Sequence, residues 1–190
     1  LQFLGERVRQ GLNVQGISTS ETTRQLALKE KIPLTDFSQS SRIDLCIDGA
    51  DEINDSLDMI KGGGGALLRE KIVASCSDFY IIIADSSKQV NQLGTFPFPV
   101  EVVYFGWQVV FNQLEELKYN PVLRLQGESP FLTDEGNCII DCDLRRIDNP
   151  FDLETKLNRI PGIVENGLFA GMCDLLILGE GDKVLQKKRP

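Results

Sequence analysis

The chain has 190 residues, 42% of them hydrophobic and 25% charged, a globular balance that excludes disordered, collagen-like and coiled-coil classes and allows one domain or two small ones. Its 28 acidic residues outnumber its 20 basic ones, for a net charge of −8 and an isoelectric point near 4.7, which argues against nucleic-acid or anionic-membrane partners and leaves an anionic ligand needing a local cationic pocket. With no histidine there is no Ser-His-Asp triad, no histidine-ligated metal and no imidazole base, so acid–base work falls to carboxylates, lysines, cysteines or tyrosines.

Strand-like and helix-like segments alternate through the first half, the pattern of βαβ units and a parallel sheet. Asn13 to Ile17 reads as a strand. Ser18 or Ser20 then caps a helix running to about Lys31, which Pro33 stops. Arg42 to Asp48 is a second strand ending in an acid, and Phe79 to Asp85 a third that ends the same way. The apolar run at 79–84 predicts a strand buried on both faces, and Gly65 to Ser77 a helix between the two strands. After Phe96-Pro97-Phe98-Pro99 the order becomes strand 100–104, helix 107–118, strands 121–126 and 137–143, helix 150–159 and strand 163–166. That is the βαββαβ order of a ferredoxin-like unit. Cys173 to Leu178 is again a short apolar strand, which returns the chain to the first sheet before the polar tail Lys187-Lys188-Arg189-Pro190. The five cysteines, Cys46, Cys76, Cys138, Cys142 and Cys173, contain no Cys-x-x-Cys pair and fit buried thiols in a reducing cytosol better than disulfides or a zinc knuckle. No apolar run approaches the ~18 residues of a membrane span, and no basic-then-apolar signal segment follows Leu1.

The chemistry-bearing stretch is Asp48-Gly49-Ala50-Asp51-Glu52, followed by Lys61-Gly62-Gly63-Gly64-Gly65 and Arg69-Glu70-Lys71. Ligands of open parallel sheets sit beyond the carboxyl ends of the strands, which is where Asp48 and Asp85 fall. Gly49 lets the backbone fold back and bring the Asp48 and Asp51 carboxylates together, unless the hexamer is simply a polar turn. Four glycines opening a helix make a cradle of backbone amides suited to an anionic or oxygen-rich ligand, with a flexible linker as the bland reading. Glu70 has Ala66, Leu67, Val73 and Ala74 as helical neighbours, and desolvation there would suit it to exchanging a proton near neutrality. A solvated Arg69-Glu70-Lys71 face reads equally well. Lys88 follows the third strand and joins Lys61 as a second cation on the same edge. Two carboxylates, two ammonium groups, an amide cradle and a half-buried Glu are what proton shuttling beside a carbonyl requires. A divalent metal held by Asp48, Asp51, Glu52 and Asp55 is the competing chemistry.

These segments, together with Phe98-Pro99-Val100-Glu101-Val102, Thr133-Asp134-Glu135-Gly136-Asn137, Ile160 to Phe169 and Asp174 to Gly179, resemble in order the motifs of the type A ribose-5-phosphate isomerases. The resemblance implies a Rossmann-like parallel-sheet domain (1–98 plus 169–190) with a small ferredoxin-like α+β domain (99–168), usually as a homodimer or homotetramer in the cytoplasm. It implies interconversion of D-ribose 5-phosphate and D-ribulose 5-phosphate in the pentose phosphate pathway, without metal or organic cofactor. Glu70 matches the family's proton acceptor. Asp48, Gly49, Ala50 and Asp51, Lys61, Gly62, Gly63 and Gly64, and Lys88 match its substrate-binding segments, with Asp48, Asp51 and Lys61 also beside the chemistry.

The family carries, ahead of the region matching Leu1, a first strand and a Gly-Thr-Gly-Ser-Thr type loop that grips the substrate phosphate, so this chain is expected to be N-terminally truncated. On that reading the 190-residue piece is weakly active or inactive while its full-length parent isomerises. The alternative is a non-catalytic sugar-phosphate-sensing module of the same fold, which would need no general base.

Overall fold

A computed structural model of the chain describes residues 1–189. In chain order the first half comprises α1 (Gln2–Arg9), α2 (Glu21–Lys29), β1 (Cys46–Asp48), β2 (Glu52–Ile53), β3 (Met59–Ile60), α3 (Leu67–Ser75) and β4 (Tyr80–Asp85). The second half comprises β5 (Phe98–Val102), α4 (Trp107–Glu116), β6 (Pro121–Leu123), β7 (Leu125–Gln126), β8 (Ser129–Pro130), β9 (Cys138–Cys142), α5 (Pro150–Leu157), β10 (Ile163–Asn166), β11 (Leu168–Phe169), β12 (Leu175–Glu180) and β13 (Lys183–Lys188). Caps account for two of the helix starts: the Ser20 hydroxyl accepts from the Thr23 amide, and Asn149 accepts from the Asp152 amide with Pro150 in the first turn.

The main sheet runs β1-β4-β12-β13, with β1, β4 and β12 parallel and β13 antiparallel at the edge. A second sheet, β10-β5-β9-β6, is wholly antiparallel. That strand order with α4 and α5 as its two helices is the ferredoxin-like arrangement, so the chain is a Rossmann-like α/β structure with a small α+β unit. Between the two sheets, β2 and β3 form a hairpin extended by β11. One core gathers around Tyr80, Ile82, Met59 and Phe169, the other around Phe98, Val100, Leu114 and Ile140.

Several expectations are corrected. Asn13 to Ile17 is not a strand; it makes a single bridge, Gly16 to Leu34, and a strand exists only where a ladder satisfies its backbone groups. The second strand is confined to Cys46–Asp48, Ile43 making only a bridge to Ser77. β4 is buried on one face alone: Tyr80 and Ile82 are enclosed, whereas Ile83 is 53% exposed, as is Ile47 beside it at 56%. The expected strand 121–126 breaks at Arg124 into β6 and the hairpin strand β7. Lys187 and Lys188 of the polar tail end a strand, β13, that pairs along its whole length with β12 through a turn at Gly181-Asp182. Pro190 lies outside the described residues.

Candidate active site

The carboxyl end of β1 delivers Asp48 into a turn whose geometry is locked from both sides. The Gly49 amide donates to Asp48 Oδ1 at 2.8 Å, and the Asp51 amide donates to the Ile60 carbonyl at 2.8 Å, drawing the turn against β3. Lys61 follows β3 directly, its amide held by the Gly167 carbonyl at 2.9 Å. Its side chain runs inward and is only 3% exposed. The Lys61 Nζ lies 2.5 Å from the Gly49 carbonyl oxygen, 2.9 Å from Asp48 Oδ2 and 3.3 Å from Glu70 Oε2, with the Phe169 ring centroid 5.4 Å away. Of these contacts only the one to Gly49 has hydrogen-bond geometry; Asp48 Oδ2 and Glu70 Oε2 are enclosed at ion-pair distance with no hydrogen bond of their own.

Burial sets the electrostatics. Desolvation pushes the Glu70 carboxyl above the usual carboxylate range; Lys61 pulls it back down, and the nearby Asp48 adds to the rise. Desolvation opposes the Lys61 charge, but Asp48 and Glu70 more than offset it, and its affinity for the proton goes up. The result is a fixed cation beside a carboxylate that holds a proton more readily than an exposed one. Glu70 keeps 16% side-chain exposure, so it is not sealed from an incoming molecule.

The Arg69-Glu70-Lys71 run is not a solvated face. Arg69 donates to Glu135 Oε1 at 2.6 Å and to Asp134 Oδ2 at 3.0 Å. Lys71 donates to Glu165 Oε1 at 2.7 Å, Glu154 Oε1 at 3.0 Å and the Asn166 carbonyl at 2.8 Å. Both neighbours of Glu70 therefore reach toward the antiparallel unit while Glu70 turns to Lys61.

The glycine run is a folded element rather than a linker, and part of its amide set is already engaged. The Gly63 amide donates to Asp51 Oδ2 at 2.7 Å, and the Gly65 amide to the Gly62 carbonyl at 2.9 Å. Gly62 and Gly65 have positive φ, and a Cβ at Gly65 would lie 2.6 Å from the Phe131 ring. Gly64 has ordinary φ and nothing within 4 Å of a built Cβ. From outside, the Arg124 guanidinium donates to the Gly62 and Gly63 carbonyls at 3.0 Å each and is itself held by Asp141.

Lys88 closes a short 3-10 turn capped by Asp85, whose carboxylate accepts from the Ser87 amide at 2.9 Å. It lines a cleft of about 390 Å³ with Gly49, Ala50, Asp85 and Gly179. Among the described residues its ammonium makes no hydrogen bond or ion pair. A second cleft of about 400 Å³, between Trp107, Phe111 and Val122, lies away from the carboxylates. The structure thus gathers Asp48, Asp51, Lys61, Glu70 and Gly62 to Gly64, and sets Lys88 across a cleft from Gly49 and Ala50.

The four acids of the metal alternative do not converge. Glu52 turns away to accept from the Gly94 and Phe96 amides at 2.8 and 2.6 Å, and Asp55 pairs with Lys187 at 2.5 Å. Sequence reasoning missed Gly167, whose Cβ would meet the Lys61 carbonyl at 2.3 Å, and the supporting roles of Arg124 and Lys71. All three act across long sequence separations, which no local spacing reveals.

Comparison with known proteins agrees along nearly the whole chain. The family model described as Ribose 5-phosphate isomerase A (phosphoriboisomerase A) matches residues 15–183. A ribose-5-phosphate isomerase A of Ruegeria sp. strain TM1040 is 49% identical over 190 residues, covering 96% of this chain and 72% of that protein. A solved D-ribose-5-phosphate isomerase in complex with phospho-erythronic acid superposes with TM-score 0.96 at 37% identity, covering 99% of this chain and 84% of that one. The enzyme from Methanocaldococcus jannaschii superposes with TM-score 0.93 at 40% identity, covering 98% and 84%.

Proposed function

The chain belongs to the ribose 5-phosphate isomerase A family, and on that premise we propose that it interconverts D-ribose 5-phosphate and D-ribulose 5-phosphate by proton transfer through a cis-enediol, with Glu70 as the base and no metal or organic cofactor. The observation that carries this reading is the Glu70 carboxylate, buried against Lys61 with its proton affinity raised.

In the open-chain aldose, the Glu70 carboxylate removes the proton from C2. The C2–H electrons form the C1–C2 double bond, and the carbonyl electrons move onto O1, which takes up a proton. Return of the proton from Glu70 to C1, with loss of the O2 proton, leaves the carbonyl at C2. The Lys61 ammonium holds Glu70 and Asp48 in place and offsets part of their charge, and the developing oxyanion gains from a preorganised cation close by. Asp48 and Asp51 bear on the hydroxyl protons that must change oxygens, Gly49, Ala50 and Gly62 to Gly64 form the backbone wall against the sugar, and Lys88 supplies positive charge at the cleft. The relative solved with phospho-erythronic acid supports a phosphorylated sugar as the ligand class. The family assignment leaves no place for a sensing module without a base.

We take residues 99–168 as a small unit and 1–98 with 169–190 as the catalytic one, and place the enzyme in the pentose phosphate pathway as a cytoplasmic homodimer or homotetramer. Family membership and five free thiols support this, and no described helix is long and apolar enough to cross a membrane.

The test is Glu70→Gln in the full-length protein. Loss of about 10²- to 10⁴-fold in kcat, the usual weight of a general base, is expected with folding intact. Parental turnover by the variant would remove Glu70 from the mechanism.

A further inference from the structure

The Thr133-Asp134-Glu135-Gly136-Asn137 turn has no part in the chemistry above, yet each of its polar side chains is committed. Thr133 and Asn137, at its two ends, both donate at 2.9 Å to one oxygen of Glu101, which is the fourth of the five residues of β5 and is 1% exposed. The Asn137 amide donates to the Thr133 hydroxyl at 3.2 Å, and the Thr133 amide to the Asn137 carbonyl at 2.9 Å, closing the turn on itself. The two acids at its tip both take Arg69, the residue before Glu70.

Helix α3 needs such a hold. Its N-cap is Ala66, which has no side-chain acceptor, so the turn that delivers Glu70 lacks the usual anchor of a helix start. The glycine run ahead is held by Asp51 and Arg124 and the next residue, Lys71, by its own three bonds, so the uncapped turn that leads to Glu70 is the stretch left for Arg69 to fix. Arg69 is a planar fork gripped on two sides by separate carboxylates, a contact that fixes orientation as well as position.

We propose that the Thr133–Asn137 turn, pinned from below by Glu101, is a positioning clamp that grips Arg69 and so sets the direction in which α3 presents Glu70 to the substrate. Arg69, Asp134, Glu135 and Glu101 are positioning residues, none of them touching substrate. The inference rests on Glu70 being the base. It assigns a task to residues drawn from β5, the β8–β9 connection and α3, which the sequence separates by up to 66 positions.

The experiment is a double-mutant cycle in the full-length enzyme with Arg69→Gln, the pair Asp134→Asn with Glu135→Gln, and all three together, reading kcat and KM for ribose 5-phosphate per folded enzyme. Side chains of the three residues are 36 to 46% exposed, so the variants are expected to fold. A lost grip on the base is expected to lower kcat by about ten- to a hundredfold with KM changed less than about threefold. The triple variant should be no worse than Arg69→Gln alone, because the grip on Arg69 is removed from either side and Asp134→Asn keeps an oxygen for the Glu21 amide, from which Asp134 also accepts at 3.1 Å. Arg69→Lys, which keeps the charge but not the fork, should fall with Arg69→Gln. Unchanged kcat, losses that multiply, a loss confined to KM, or full activity in Arg69→Lys would each overturn the clamp. Glu70→Gln run alongside separates the two claims: if it is inactive while Arg69→Gln keeps parental kcat, the clamp fails and the base stands, and if it is active the base itself fails.

Discussion

At the scale of residues, the site depends on which partner each side chain finds. Arg69, Glu70 and Lys71 look alike in the sequence, each with apolar helical neighbours, so the catalytic role proposed for Glu70 was legible there only through resemblance. What separates them is tertiary: two acids for Arg69, two acids and a carbonyl for Lys71, and a buried ammonium for Glu70. The burial that raises the Glu70 pKa also makes stability depend on pH. A carboxyl that binds its proton more tightly folded than unfolded contributes stability at low pH and loses it as pH rises through the folded pKa. Glu70→Gln removes that loss, so its melting temperature relative to the parent is expected to climb as pH is raised from 4 to 8, while activity disappears. A flat difference across that range would mean that Glu70 is not desolvated in solution. The thiols follow the same physics. Burial pushes Cys46 up to about 12 and Cys173 up to about 11, and raises Cys138 and Cys142, whereas Cys76 is only partly covered. At pH 8 a thiol reagent is expected to label Cys76 first, with the other four reacting only on unfolding. Early labelling of Cys46, which lies two residues from Asp48, would contradict this burial.

At the scale of elements, the glycine run shows how one stretch of sequence serves several purposes. Gly65 combines positive φ with a Phe131 ring 2.6 Å from where a Cβ would be, whereas Gly64 has neither constraint. Gly65→Ala is therefore expected to cost at least about 1–3 kcal/mol in stability, and Gly64→Ala to fall within about 0.5 kcal/mol of the parent. If Gly64 forms part of the wall against the sugar, Gly64→Ala also raises KM at unchanged stability; parental KM would take it out of the site. One helix cap was legible, since Ser20 acts locally on the Thr23 amide. Strand partners were not. Asn13 to Ile17 has a strand's residues but only a single bridge, and β13 has a polar surface pattern yet pairs fully with β12. The apolar run of β4 implied burial on both faces, but hydrophobicity alone cannot say whether a second layer covers Ile47 and Ile83.

At the scale of the molecule, α/β alternation followed by βαββαβ order was enough to read the architecture, because β4, β5, β9, β12 and the helices are long enough to show their own period and topology then allows few arrangements. The three-stranded β11-β3-β2 sheet escaped notice because its strands are two residues each, too short for a period, although β3 sets the course of Lys61 and β11 supplies Phe169. The candidate site draws on both units: β1 and the turns that follow β1 and β4 provide Asp48, Asp51 and Lys88, while Arg124, Asp134 and Glu135 reach over from the antiparallel unit to hold the glycine run and α3. The most direct measurement is ribose 5-phosphate isomerisation in D2O by the full-length protein and its Glu70→Gln variant, after chelation, with the sugars recovered at partial conversion and read by NMR. The parent is expected to turn over, with solvent deuterium entering the carbon that receives the proton to the extent that the partly exposed Glu70 exchanges its proton before returning it, and the variant to do neither. Turnover by Glu70→Gln, or loss of parental activity on chelation, would contradict metal-free proton transfer by Glu70.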